Sequence, residues 1–224
     1  MLSAPTWSGH SLVGNWDVIW FYTAQHLRFT ALALALGCAL AFPLSYVAHR
    51  WPRTYPPLLG AVNVVYAIPS ITMFVLLAPA FGFTNDRPVV IAMALYSLVI
   101  LLRNVVEGLR AVPVNVVDAS TAMGYAPLRR FFAVELPLAV PGIVAGLRVA
   151  AVSTISLISV AGAIGRGGLG RLFDDGRQRD ITIEIWAGIA AVMVLALVVD
   201  AAIFLSGRLL TPWARAERAE RGGR

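Results

Sequence analysis

The chain contains no lysine: all 18 of its basic residues are arginine. That absence excludes a phosphate-binding loop of the Gly-x-x-x-x-Gly-Lys-Ser/Thr type, in which the lysine ammonium reaches the nucleotide phosphates. Any process here that ATP drives needs another subunit to hydrolyse it, and no cofactor is expected on this chain. Charge of either sign is scarce, at 13% of 224 residues, while 58% are hydrophobic and the mean hydropathy is +0.75. Such a balance excludes an ordinary water-soluble domain and fits an integral membrane protein. Cysteine is reduced to Cys38 inside an apolar run, which excludes a disulfide framework and a cysteine metal cluster and leaves a packing role. His10, His26 and His49 are isolated near the ends of apolar runs and are not spaced as a metal site or as a catalytic base with a partner. The net charge of +6 and pI near 10.2 do not point to nucleic acid, because no soluble domain is available to present a basic groove.

What is present is a series of apolar runs. Those near 28–48, 58–82, 88–109, 138–163 and 183–209 each approach or exceed the ~20 residues that cross a ~30 Å hydrocarbon core. They predict an all-α, polytopic membrane protein of about five spans, with its termini on opposite sides. Residues 1–27 lack the basic start of a cleaved leader and carry Trp7, Trp16 and Trp20, so they read as an interfacial segment. Residues 28–210 form one membrane domain without internal repeats, and 211–224 an arginine-rich tail. Arginines in the connection 49–57, the loop 110–137 and the tail place those three segments in the cytoplasm and the N-terminus outside. The loop 164–182 then lies outside despite Arg166, Arg171, Arg177 and Arg179, whose charge Asp174, Asp175 and Asp180 partly offset.

Between the third and fourth runs lies Asp118-Ala119-Ser120-Thr121-Ala122-Met123-Gly124, then a spacer of nine residues, then Val134-Glu135-Leu136-Pro137. It reads as a short polar-faced helix held outside the bilayer. Small residues at 119, 120 and 122 would let another protein approach the backbone, and Gly124 can adopt the left-handed conformation that ends a helix. Pro127 suits the first turn of a second helix, and Pro137 marks the start of the next apolar run. The pattern resembles the EAA loop of binding-protein-dependent ABC importer permeases (Glu-Ala-Ala-x-x-x-Gly, a spacer of the same length, then Ile-x-Leu-Pro), with Asp118, Ser120 and Val134 as departures. Tyr66-Ala67-Ile68-Pro69-Ser70, Leu101-Leu102-Arg103-Asn104 with Gly108-Leu109, Glu135-Leu136-Pro137-Leu138 with Pro141-Gly142-Ile143, and Ile164-Gly165-Arg166-Gly167-Gly168-Leu169-Gly170 also fall in order. Together they are similar to the osmoprotectant branch, the glycine betaine, carnitine and choline importers, over residues 20–210.

That resemblance implies a type I importer permease fold and a bacterial cell-membrane location. Asp118, Ala119, Ser120, Gly124, Leu136 and Pro137, within a coupling loop at 113–137, would dock the ATPase. It also implies that ATP and magnesium sit on that ATPase, an extracytoplasmic binding protein that carries the aromatic cage for the solute, and a second permease protomer, identical or related. An amino-acid permease, for methionine for example, and an ATP-independent channel or secondary transporter are the competing readings. Amino-acid permeases share much of the pattern, whereas a channel leaves the spacing of the docking loop unexplained.

Other features stay open between function and packing. Pro43, Pro69, Pro79 and Pro141 interrupt predicted spans. Freed backbone groups in lipid need protein or water partners, so Pro69-Ser70, beside Tyr66, is either a pathway-lining kink or an ordinary packing kink. Arg148 and Asp200 lie in predicted spans, where an ionisable group is expensive and faces a partner, water or the interface. A salt bridge between them is one solution. Tyr66, Phe74, Tyr96 and Trp186 could accept a cation, although scattered aromatics in membrane proteins serve more often as packing or anchors. Gly165-Arg166-Gly167-Gly168-Leu169-Gly170 matches G-x-G-x-x-G but follows a membrane span instead of a strand, so it reads as a flexible turn outside the membrane. The arginine distribution makes a direct prediction. A reporter active only in the cytoplasm will work when fused after Arg215 and fail when fused within 171–180; the reverse pattern would invert the orientation.

Overall fold

The computed structural model describes residues 7–8, 13–82, 85–162 and 165–212, and every regular element among them is helical. His10, Ile164, the rest of the first twelve residues and the tail from 213 onward lie outside the described residues. Helix α1, Trp16–Arg50, has 35 residues, about 52 Å of length at 1.5 Å per residue. That exceeds a ~30 Å hydrocarbon core, so α1 starts well ahead of the predicted span and takes in residues 16–27 as its opening turns. Trp16 and Trp20 are exposed on it, as interfacial anchors would be. Trp7 is not: it is buried in a cluster with Val18, Tyr22, Leu169 and Leu172, and the neighbouring Ser8 N–H donates to Asn15 Oδ1 at 2.6 Å.

The second predicted span is broken. Helices α2, Tyr55–Ala67, and α3, Ser70–Phe81, meet within a pair bent by 93°. Pro69 has no N–H to donate and disfavours helical geometry in the residue before it, and Ile68 is extended at φ −71° and ψ 126°. The carbonyl of Ile68 accepts a hydrogen bond from the Tyr96 hydroxyl of the next helix, and the Pro69 carbonyl accepts from Met73 N–H at 2.9 Å, starting α3. The other prolines do not interrupt their helices. Helix α1 runs through Pro43 and α3 through Pro79, and Pro141 lies inside the helix of the fourth span. A missing N–H inside a helix is accommodated where neighbouring helices and local adjustments satisfy the freed group.

Helix α4, Arg87–Arg110, is the centre of the bundle and packs on α1, α2 and α3. Beyond it come α5, Val114–Ala122, and α6, Pro127–Arg130, which continues through a π-helical stretch, Phe131–Glu135, into α7, Leu136–Gly162. Helix α8, Gly170–Gln178, occupies much of what the sequence presents as a loop, and α9, Thr182–Leu210, completes the chain. The long helices α1, α4, α9 and the one spanning Pro127–Gly162 are each sufficient to cross a membrane, and the bent pair makes up to five crossings. Lipid tails are as apolar as leucine, so helices associate through close packing at small residues. Gly37 of α1 lies against Ser97 of α4, Gly146 of α7 against Asn104 of α4, and Gly108 and Gly142 face each other across the α4–α7 seam. In its most apolar stretch α4 is 67% buried, against 11% for α9, which leaves α9 for lipid or a partner.

The glycine-rich turn between α7 and α8 is tied down instead of flexible. Gly165, Gly167 and Gly168 take positive φ, and residues 167–170 are buried. Gln25 Oε1 accepts from the Gly168 N–H at 2.8 Å, and His26 Nδ1 accepts from the Leu169 N–H at 3.2 Å. The opposite nitrogen, Nε2, therefore carries the proton donated to the Ile155 carbonyl at 3.0 Å. A Cβ on Gly170 would stand 1.9 Å from the Ser159 carbonyl oxygen, whereas one on Gly60 of α2 would meet nothing within 4 Å. Gly170→Ala will lower the thermal midpoint of the detergent-solubilised protein by an amount consistent with overpacking of about 1–3 kcal/mol. Gly60→Ala will not lower it. Equal midpoints for the two variants would contradict this packing.

Candidate functional site

The segment from α5 to the start of α7 lies across one end of the bundle. Helix α5 ends in a Schellman motif: Tyr125 N–H donates to the Ser120 carbonyl at 3.1 Å and Gly124 N–H to the Thr121 carbonyl at 2.9 Å. Gly124 takes φ +81°, as its place after the helix predicts. Asp118, Ala119 and Ala122 are exposed on α5, but Ser120 is only 1% exposed, and its hydroxyl bonds the Val117 carbonyl at 2.7 Å. Ser120 therefore belongs to the inner side of α5, and of the three small residues only Ala119 and Ala122 offer close approach from outside. The segment is seated on the bundle by Val117, Phe131 and Leu136, which pack with Val105, Leu109, Val112, Ala139, Ile143 and Tyr46. Pro137 lies in the first turn of α7.

A polar network inside this seat is not legible from spacing. Glu135, 3% exposed, accepts from Arg130 Nε at 2.7 Å through Oε1 and bonds His49 Nε2 at 2.5 Å through Oε2. The same Arg130 donates through a terminal nitrogen to Thr121 Oγ1 of α5 at 2.8 Å. His49, in the last turn of α1 and isolated in the sequence, thus pairs with an acid 86 residues further along the chain. On the outer side Val114, Met123, Leu128 and Phe132 are between 57% and 72% exposed. Leu128 and Phe132 also line an apolar pocket with Phe42, Pro43 and Tyr46 of α1.

The intramembrane candidates form two groups. Tyr66 is exposed at the α2–α3 break, edge-on to Tyr96 with ring centroids 5.6 Å apart, and Pro69 and the half-buried Ser70 lie at the same bend. Phe74 is in the core with Tyr96, and Trp186 is exposed on α9, so the four aromatics do not converge on one cation site. In the second group Arg148 of α7 and Asp200 of α9 form a two-pronged salt bridge, both nitrogen–oxygen distances being 2.7 Å. The Arg148 guanidinium also lies over the Phe204 ring, 4.9 Å from its centroid. Paired planar groups of this kind are the favoured way to keep an arginine within a membrane segment.

Residues 29–216 match the family model described as binding-protein-dependent transport system inner membrane component. The chain is 34% identical to the osmoprotectant import permease protein OsmW of Salmonella typhimurium, over 91% of this chain and 96% of that one. It is 31% identical to the choline transport system permease protein OpuBB of Bacillus subtilis, over 88% and 91% respectively. With the carnitine transport permease protein OpuCB of Listeria monocytogenes it shares 33% identity over 96% and 95%. Among solved structures it resembles the MetNI methionine ABC transporter in an inward-facing conformation, with a TM-score of 0.73 and 21% identity over 89% of this chain and 97% of that one. At that identity the likeness is one of fold.

The salt bridge predicts a specific asymmetry. Removing one member of an ion pair in a low-dielectric site leaves an uncompensated charge, whereas removing both does not. Arg148→Leu and Asp200→Leu will each reduce the amount of folded protein in the membrane, and the double variant will recover part of that loss. Fluorescence size-exclusion profiles of tagged protein measure this. Additive losses would show that the two residues act independently.

Proposed function

The chain belongs to the family of binding-protein-dependent transport system inner membrane components, and from that premise we propose that it is the permease subunit of an ATP-driven importer of small quaternary ammonium osmoprotectants, such as glycine betaine, carnitine or choline. The observation that carries the reading is the α5–α6 segment: a capped helix with Asp118 and two alanines exposed, set on the end of α1, α4 and α7, with Val114 and Met123 exposed at its two ends. The family implies an ATPase partner, and this segment is the surface we assign to it. Closure of the ATPase pair shifts α5, and the packed seat carries the shift to the spans. ATP and magnesium are bound by that subunit. A second permease protomer, identical or related, faces this one across the solute path, and the two rock to open it alternately to each side. An extracytoplasmic binding protein delivers the solute at the end bearing α8, with the N-terminus outside and the coupling segment and tail in the cytoplasm.

Relatives named for choline, carnitine and osmoprotectants support the solute class. The physical fit is permissive: few charged residues lie within the spans, so a path beside Tyr66, Pro69 and Ser70 passes a compact solute without trapping it, and selection falls to the binding protein. A second reading, an amino acid such as methionine, has behind it solved structures at 21% identity or less, which share the fold. An autonomous channel would move solute without ATP and has no use for a docking segment.

Uptake of labelled betaine and choline, in cells with and without this gene and with the ATPase present, tests the solute class. Both are expected to depend on the gene. Gly124→Val supplies the coupling arm, since a β-branched residue is strained at φ +81° although the space around Gly124 is open. The variant will insert normally yet lose both uptake and stimulated ATP hydrolysis. Dependence of methionine alone would retain the permease and overturn the solute class, and wild-type uptake by Gly124→Val would remove the docking role of α5.

A further inference from the structure

We propose that Glu135 is a positioning residue for energy coupling: through Arg130 and His49 it locks the docking helix α5 to the end of α1, so that the two move as one body. The inference rests on the permease reading above. It starts from the π-helical stretch Phe131–Glu135, where Leu136 N–H donates to the Phe131 carbonyl, five residues back. In an α-helix, at about 100° per residue, residues 130 and 135 would point about 140° apart. A π turn closes from i to i+5 and brings them to one side. The wide turn is thus what allows the Arg130 guanidinium to reach Glu135 Oε1 while its other arm holds Thr121 Oγ1. The second carboxylate oxygen takes His49, in the last turn of α1.

The result is one continuous chain of hydrogen bonds, Thr121–Arg130–Glu135–His49, joining α5 to α1 across the α6–α7 junction. Glu135 is 3% exposed, while His49 and Arg130 are 24% and 23% exposed. The carboxylate is therefore the buried node and its partners are the reachable ends. Apolar contacts of Val117 and Phe131 press α5 onto its seat and carry part of its displacement, but dispersion alone sets no preferred angle. Charge-assisted hydrogen bonds fix distance and angle together. Removing the node therefore leaves α5 attached while making its displacement a poor lever on α1.

The experiment uses the complete transporter, this permease with its ATPase, second protomer and binding protein, reconstituted in proteoliposomes, and reads solute moved per ATP hydrolysed. Glu135→Gln will assemble and hydrolyse ATP, with solute moved per ATP reduced by about fivefold, within the range of mutational effects on coupling. Thr121→Val, at an exposed position where folding is not at stake, will lower the same ratio, and Thr121→Ser, which keeps the hydroxyl, will restore it. Because the residues act as one chain, Glu135→Gln with Thr121→Val will be no worse than Glu135→Gln alone, whereas independent sites would add. An unchanged ratio in Glu135→Gln, or in Thr121→Val should Glu135→Gln not assemble, overturns the proposal, as do additive losses. Failure of the wild-type assembly to transport only with ATP would instead overturn the permease reading itself.

Discussion

Hydrocarbon supplies no hydrogen-bond partners, so each backbone group freed within the membrane has to be answered by the protein. The architecture depends on how one such debt is met. Pro69 breaks the second crossing, and Tyr96 of α4 answers the exposed Ile68 carbonyl. Helix α4, the central one, carries both the tyrosine at the 93° bend and the small and polar residues against which α1 and α7 approach. The bend leaves Tyr66, Pro69 and Ser70 together at an irregular stretch of backbone, the kind of place where a membrane protein can line a path without opening its helices.

Charge is distributed by the same economy. Among the described residues the polar networks sit mainly at the ends of the helices: Arg179 on Glu184 and on the Trp7 carbonyl at the α8 end, and Glu135 with His49 and Arg130 at the α5 end. The middle holds the paired Arg148 and Asp200. Each end consequently joins segments distant in sequence through hydrogen bonds.

What the sequence made legible was local. The left-handed turn at Gly124, the helix starting at Pro127 and the break at Pro69 each follow from the conformational limits of one residue and its neighbours, and the apolar runs follow from span length. What remained hidden was pairing at long range. Nothing in the spacing places His49 on Glu135, 86 residues away, or Gln25 and His26 on Gly168 and Leu169, 143 residues away. The glycines of that turn read as a flexible segment, yet freedom of backbone does not mean freedom of motion, and the turn is clamped. Helix α8 was missed because its apolar residues serve a short buried face in a stretch rich in charge. The burial of Ser120 was missed because small size looks the same on either side of a helix. The π turn has no local signature either, since it is defined by where the following helix must point.

The pairing of Arg148 with Asp200 also bears on the order in which the protein can be made. The two residues are 52 positions apart, so at about 5–20 residues per second the arginine is synthesised about 3–10 s before its acid exists. During that interval α7 carries an unanswered charge. Only once the last helix, least buried of the long four, is in place does the Arg148 guanidinium have the carboxylate that pairs with it.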